Sequence, residues 1–316
     1  LFIFSIFINR SVTLDAHSLG LSMQAYSEIF PNTQDILQPQ RVLLPLIGYL
    51  IKINLQTINI IVTYCFLNIL YKHILKFQSR IITYLLCASL SATMVVQFHY
   101  NFGSYPDILC YFLLLLAFIN KEKTNAPYIY FFLALLTKET AIFTALLFLA
   151  IKNISKIKII LSCLFYLPMY LFLNTGDYDL NHYLVPLQSD IMHWFNQSKP
   201  YLFTGYFSSI KFLWIIVILY ILRDFKNSYP IILLIVGISL QFMLGGDTTR
   251  FVSFMFLGLV FVVEKLKLDK FLFLNIFILF LNVVTAKYYV FAYGEMIILN
   301  ESRISFLNFF EIFNEN

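Results

Sequence analysis

The chain has 316 residues, 60% of them hydrophobic and only 12% charged, with a mean hydropathy of +0.78. Soluble domains run near half apolar and a quarter charged, so the composition excludes a soluble globular enzyme, a disordered segment and a nucleic-acid binder. The formal charge of +5 then bears on topology, because Lys and Arg in a polytopic membrane chain mark its cytoplasmic loops.

A span needs roughly 20 apolar residues. The apolar segments predict an all-α, polytopic transmembrane helical bundle of about eight to ten membrane helices or half-helices, in a single integral-membrane domain over 1–316. Residues Leu1 to Ile8 read as the tail of a truncated first span. A long first extracytoplasmic loop follows over 9–42, in which the spacing of Leu19, Met23, Tyr26 and Phe30 predicts a helix lying flat on the membrane surface. Residues 42–53 are apolar but too short to cross alone. Predicted spans then run 57–77 inward, 81–99 outward, 105–119 inward, 157–174 outward, 210–222 inward, 229–245 outward, 251–264 inward and 270–287 outward, with 287–316 as an extracytoplasmic tail.

The polar gaps between these spans alternate in character. One set is short and basic: Lys72, Lys76 and Arg80; Lys121 and Lys123; Lys152, Lys156 and Lys158; Arg223 and Lys226; Lys265, Lys267 and Lys270. The other set, 9–42, 99–107, 174–209, 245–250 and 287–316, is longer and richer in acids and aromatics. Positive-inside bias puts the first set in the cytoplasm and the second outside. The apolar stretch from Pro127 to Ile151 breaks the pattern, because both of its flanks are basic. Two short helices folded as a hairpin would keep both flanks on one side, with Thr137-Lys138-Glu139-Thr140 at the tip. Charge and non-helical backbone at that depth are tolerated only inside protein or a wet cavity. Cys65, Cys87, Cys110 and Cys163 sit in separate apolar runs without Cys-x-x-Cys spacing, as small buried hydrophobes.

Five segments on the outer face carry groups able to do chemistry. Asp15 stands just past the first span, where a carboxylate can deprotonate an acceptor hydroxyl or cap a helix. Arg41 sits at the polar edge of the 42–53 half-helix, where it can fork onto a phosphate or snorkel to headgroups. Asp107 opens an inward span behind Pro106, a position that also suits helix capping. Lys138 and Glu139 point to the same face from the hairpin tip. The Gly245-Gly246-Asp247-Thr248-Thr249-Arg250 turn adds Asp247 and Arg250, which could pair locally. Acids, bases and phosphate-binding cations gathered at one cleft are what a reaction site requires.

This pattern resembles the GT-C-fold membrane glycosyltransferases of bacterial, polyprenyl-phosphate-sugar-dependent type. Asp15 is similar to their first-loop acid, although Ser18 and Leu19 stand where those enzymes carry an aromatic. Arg41 to Pro45 looks like their Arg-x-Leu-x-Pro helix entry, and Tyr105-Pro106-Asp107 like their second acid. Lys138-Glu139-Thr140 looks like their Lys-Glu-Thr segment, and Asp247 to Arg250 like their late Asp-x-x-Arg turn. The resemblance implies an inverting transfer of sugar from a polyprenyl-phosphate carrier to a hydroxyl on a lipid or glycan acceptor. Asp15 would be the base, with Asp107 its alternate. Arg41, Lys138 or Arg250 would hold the leaving phosphate, and Glu139, Asp247 and Asp107 would bind sugar hydroxyls or orient the cations. It implies no obligatory cofactor or metal, although Asp15 and Asp107 could suit a hard cation. It also implies a bacterial inner membrane, a site facing the periplasm, membrane lipids as surroundings, no nucleic acid, and a part in cell-envelope polysaccharide synthesis. The competing classes are an O-antigen-type polymerase or ligase, a lipid-linked-sugar flippase or transporter, and a membrane scaffold.

The hairpin predicts the sidedness of its flanks. Single cysteines at Asn125 and Asn153, in a background lacking the four native cysteines, are expected to label from the same compartment. Labelling from opposite compartments would restore a single span through Lys138.

Overall fold

The computed structural model describes residues 1–8, 18–32, 40–101, 104–173, 199–241, 248–285, 288–290 and 296–298. Among the described residues the regular structure is helical, apart from a short antiparallel ladder of β1 (Tyr288–Val290) with β2 (Met296–Ile298), in which Tyr289 pairs with Ile297. After α1 (Phe2–Ile8) and α2 (Ser18–Ile29), helix α3 (Leu43–Ile51) ends on Lys52 in the left-handed region, whose N–H closes onto the Gly48 carbonyl. Asn54 then caps α4 (Leu55–Ile74) by accepting from the Thr57 N–H at 2.8 Å. There follow α5 (Arg80–Ser91), α6 (Met94–Asn101), α7 (Asp107–Ile119), α8 (Ala126–Thr137), a 3-10 turn over Glu139–Thr144, α9 (Ala145–Ala150) and α10 (Lys156–Leu173). The C-terminal half comprises α11 (Lys199–Ile210), α12 (Trp214–Arg223), α13 (Tyr229–Gln241), α14 (Thr248–Val252), α15 (Phe256–Lys265) and α16 (Leu272–Val284).

Many of the predicted spans are broken helices. Among the described residues one helical run, Phe203–Arg223, is long and apolar enough to cross a membrane, and α3 with α4 passes the same test as a pair bent by 108°. Shorter apolar helices make up much of the remainder. Residues 199–209, expected in an outer loop, are helical as α11. The α11–α12 run is interrupted at Lys211, whose φ of 49° lies in the left-handed region. Its buried ammonium donates to the carbonyls of Asn282 (2.9 Å) and Thr285 (2.7 Å) and to the Thr285 hydroxyl (3.1 Å). A cation is thereby set on the negative end of α16. In α2, Met23 and Tyr26 are buried in the common core, the Gln24 side chain accepts the Leu55 N–H at 3.0 Å, and Phe30, partly buried, packs on Tyr49. Protein therefore covers Met23 and Tyr26, two of the residues that the spacing assigned to the membrane surface.

The hairpin is present. Helix α8 stops at Thr137, Lys138 is extended (φ −157°, ψ 119°), and the chain turns back through Glu139–Thr144 into α9. Its two flanks meet at one end. Lys158 Nζ donates to the Thr124 carbonyl and to Asn125 Oδ1, both at 3.0 Å, and the Ser155 N–H donates to the Tyr128 hydroxyl at 2.7 Å. A continuous span would have separated these groups by about 1.5 Å per intervening residue. The other basic gaps converge on the same end. Gln78 Nε2 donates to the Val263 and Leu266 carbonyls, and the Ser79 N–H donates to Asp269 Oδ1 at 3.0 Å. This bond holds the Asp269 carboxyl below the ordinary carboxylate range.

The hairpin turn is seated by a glycine. A β-carbon at Gly237 in α13 would lie 2.3 Å from the Phe143 carbonyl oxygen, which is backbone and cannot move aside. At Gly258 in α15 the nearest atom is the flexible Met255 methyl at 2.9 Å. Gly237→Ala is therefore expected to lower the unfolding midpoint by the equivalent of about 1–3 kcal/mol, and Gly258→Ala by clearly less. Parallel thermal melts of the two variants in detergent check the ordering, and equal midpoints would contradict it.

Candidate functional site

The hairpin tip, the start of α7, the lead-in to α3 and the short helix α14 bring five charged side chains together. Asp107, in the first turn of α7, is completely buried. Its carboxylate accepts from Arg250 Nη2 at 2.7 Å (Oδ2), from Arg250 Nε at 3.1 Å (Oδ1) and from Lys138 Nζ (Oδ1). Arg41, directly before α3, forks onto Glu139: Nε donates to Oε2 at 2.8 Å and Nη2 to Oε1. The two sets form one electrostatic unit, since Lys138 and Glu139 are consecutive and Arg41 lies within reach of both Arg250 and Asp107.

Local structure explains why each group stands where it does. Helix α8 ends at Lys138, whose N–H still bonds the Ala134 carbonyl at 2.9 Å while the extended residue aims its side chain away from the helix. Pro106 sits just before α7 and places Asp107 where exposed N–H groups favour an anion. The Arg250 guanidinium lies over the rings of Tyr105 (4.7 Å) and Phe98 (5.0 Å), and its carbonyl accepts the Tyr111 hydroxyl at 3.0 Å. Asn59 Nδ2 holds the Tyr105 carbonyl at 2.7 Å. The cations are thus gripped by aromatic faces as well as by carboxylates.

Among the described residues, three cations, Arg41, Lys138 and Arg250, face two carboxylates, Asp107 and Glu139. Four of the five are shut off from solvent: Arg41 and Arg250 are 5% exposed, Lys138 1% and Asp107 0%, whereas Glu139 is 23% exposed at the edge of the cluster. A buried cation costs several kcal/mol unless an anion or hydrogen-bond acceptors meet it. Polar atoms without partners surround the same spot. Arg41 Nη1, the neighbouring Gln40 Oε1, the Thr140 hydroxyl next to Glu139 and the Tyr166 hydroxyl of α10, which lies within electrostatic reach of Arg41 and Glu139, all lack a hydrogen bond among the described residues. Two further side chains, Gln97 in α6 and Gln241 at the end of α13, are fully buried and have no hydrogen bond to either amide atom among the described residues. Each such atom costs about 1–3 kcal/mol if nothing meets it. The arrangement is suited to receiving an anionic, hydroxyl-rich molecule.

Of the residues singled out from the sequence, Arg41, Asp107, Lys138, Glu139 and Arg250 come together. Asp15 and Asp247 lie outside the described residues. Arg250, for which a local partner at Asp247 was considered, reaches a carboxylate 143 positions away in Asp107. Asp107 accepts from both cations and holds them in place, a geometry that suits a positioning residue better than a free general base. Among the described residues no three His, Cys, Asp or Glu side chains come together. Sequence reasoning missed Tyr166, one of 21 tyrosines with nothing to distinguish it. It also missed Gln97 and Gln241, although a lone glutamine inside an apolar run was a readable signal. The four cysteines are free, and Cys110 lies beside the cluster. Comparison of the chain with protein-family models, characterised proteins and solved structures finds no match.

The Arg41–Glu139 pair yields a thermodynamic test. Glu139→Leu strands the buried Arg41 guanidinium and is expected to cost about 3–5 kcal/mol, and Arg41→Met costs less because Glu139 is 23% exposed. Arg41→Met with Glu139→Leu removes both charges and is expected to cost much less than the two single changes added together. Strict additivity in unfolding measurements would mean that the pair is not coupled.

Proposed function

We propose that this protein is a polytopic membrane glycosyltransferase. It transfers a sugar from a polyprenyl-phosphate carrier to a hydroxyl acceptor at the extracytoplasmic face of a bacterial inner membrane, with inversion. The observation that carries the reading is the buried, cation-rich cluster in which Arg41 Nη1 and the nearby Tyr166 hydroxyl have no hydrogen bond among the described residues. A leaving phosphate would accept from Arg41 Nη1, and a sugar would supply partners for the Thr140 and Tyr166 hydroxyls. The membrane setting is supported by large apolar side chains turned outward, such as Phe273 (86% exposed), Leu222 (76%) and Phe165 (67%). It is also supported by the basic gaps gathered at the end away from the cluster.

Arg41, Lys138 and Arg250 stabilise the charge that develops on the departing phosphate. Asp107 and Glu139 aim those cations. Asp15 takes the proton of the acceptor hydroxyl as its oxygen attacks the anomeric carbon and the bond to the carrier phosphate breaks. A transporter of lipid-linked sugar is less well served by this interior. Between Asp107 and the basic end, α7 presents buried apolar side chains from Ile108 to Phe118, with no polar path among them beyond the Tyr111 hydroxyl bonded to Arg250.

Binding of undecaprenyl phosphate to the purified protein tests the phosphate site. Tyr166→Phe deletes one unbonded hydroxyl and leaves the packing, so stability should hold while affinity falls about tenfold or more. With a panel of polyprenyl-phosphate sugars as donors, Asp15→Asn should lose about 10²–10⁴-fold in transfer rate without loss of fold. No binding of undecaprenyl phosphate by the wild-type protein would sink the reading. Near-normal transfer by Asp15→Asn would remove Asp15 as the base.

A further inference from the structure

A second concentration of charge lies at the other end of α7. Asp107 opens that helix and Lys121 lies just beyond its last residue, about 20 Å away at 1.5 Å per residue. There a cavity of about 880 Å3 is lined by all five basic gaps: 72–80, 121–123, 152–158, 223–226 and 265–270 each contribute at least one residue. Its wall includes a buried relay in which Glu264 accepts from His73 Nε2 at 2.9 Å and from Lys121 Nζ. That carboxylate is therefore fully engaged. Asp224, also in the wall, accepts both of its hydrogen bonds from Asn227 Nδ2 at 2.9 Å.

Four cations are left over. Lys76, Lys152, Arg223 and Lys265 all line the cavity, and none of them is ion-paired with a carboxylate among the described residues. Among the described residues, Glu122 is the one lining acid with no hydrogen bond from a neighbouring side chain, and it alone is left to set against them. Two of the four, Arg223 and Lys265, close the last turn of a helix, and complementing the helix dipole accounts for a cation at each of those ends. It does not account for their lining one concavity of ligand size. Nor does positive-inside bias, which needs only that the charges lie on the same side.

We infer that this cavity is a phosphate-binding site distinct from the candidate transferase site, and that its occupant is a phosphate group carried by an anionic molecule. In the membrane orientation argued above it opens at the cytoplasmic leaflet. Basic pockets between spans on that side take anionic phospholipid headgroups, and each Lys or Arg adds to the attraction. The lipid source rests on the membrane reading. The phosphate chemistry does not, and neither depends on glycosyl transfer. The consequence is a bundle whose cytoplasmic end is stapled by a ligand bridging α4, α9, α12 and α15, at the far end of α7 from the buried cluster.

The test uses the full chain in nanodiscs of neutral phosphatidylcholine, with and without phosphatidylglycerol, and in detergent with inorganic pyrophosphate. Lys76→Gln with Arg223→Gln removes two cavity cations. Lys123→Gln with Lys156→Gln removes two basic-end lysines that do not line the cavity, and so controls for bulk charge. Native mass spectrometry should find one phosphatidylglycerol retained by the wild type and by the control, with affinity lowered at least about tenfold in the cavity variant. Tight binding of pyrophosphate, displacing the lipid and lost in the cavity variant alone, would uphold the phosphate site and assign it a soluble occupant. Equal losses in the cavity variant and the control, or no specific retention of either probe by the wild type, would overturn the inference. Undecaprenyl phosphate binding at the Arg41 cluster is read separately, so failure here leaves that reading intact.

Discussion

The Asp107 carboxylate is the constraint on which the rest of the outer half depends. It is fully buried and bridges Lys138 and Arg250, accepting from both. A lysine and an arginine at that depth would each carry a desolvation cost of several kcal/mol without it. Because the three residues come from α7, the hairpin tip and α14, their bonds tie three chain segments separated by 31 and 143 positions. The hairpin can turn at Lys138 only because that side chain has a partner, and α14 can bury Arg250 for the same reason. The Tyr105 and Phe98 faces complete the enclosure.

Around this constraint the bundle is polarised. One end of α7 holds the Asp107 cluster, the other the Glu264 relay and the basic cavity, and between them the helix buries Leu113, Leu114, Leu115 and Phe118. An apolar middle keeps the two charged ends electrostatically separate across about 20 Å of helix. The short helices follow from the same organisation. Chain breaks at Thr93, Lys138 and Lys211 put polar backbone and side chains inside the protein, where carbonyls, carboxylates and hydroxyls meet them.

The parts of the site legible in the sequence were the ones with a steep energetic signature. A Lys-Glu pair in an otherwise apolar stretch has few tolerable placements, so the break at Lys138 and its inward location could be read from Pro127 to Ile151 alone. Arg41 and Asp107 stood out because each charge adjoins an apolar run. The side of α2 that is covered was not legible, because helical spacing of Met23 and Tyr26 suits burial against lipid and against α3 equally well. Tyr166, Thr140, Gln97 and Gln241 were equally hidden, since a hydroxyl or amide draws notice only once the surrounding packing withholds its partner.

The sequence by itself determined the hydrophobic class, the helical fold, the hairpin and the sidedness of the basic gaps. These follow from summed transfer energies and from local charge, which depend little on which helix packs on which. Tertiary structure decided the pairings. That Arg250 would fork onto Asp107, that Arg41 would find Glu139 98 positions away, and that Lys211 would cap α16 are long-range choices made among groups of equal charge. The fit of neighbours decides between them, as where Gly237 lets the Phe143 carbonyl approach and so seats the turn that carries Lys138 and Glu139. The same packing set three cations against two carboxylates in the described cluster, and no local pattern of residues encodes that grouping.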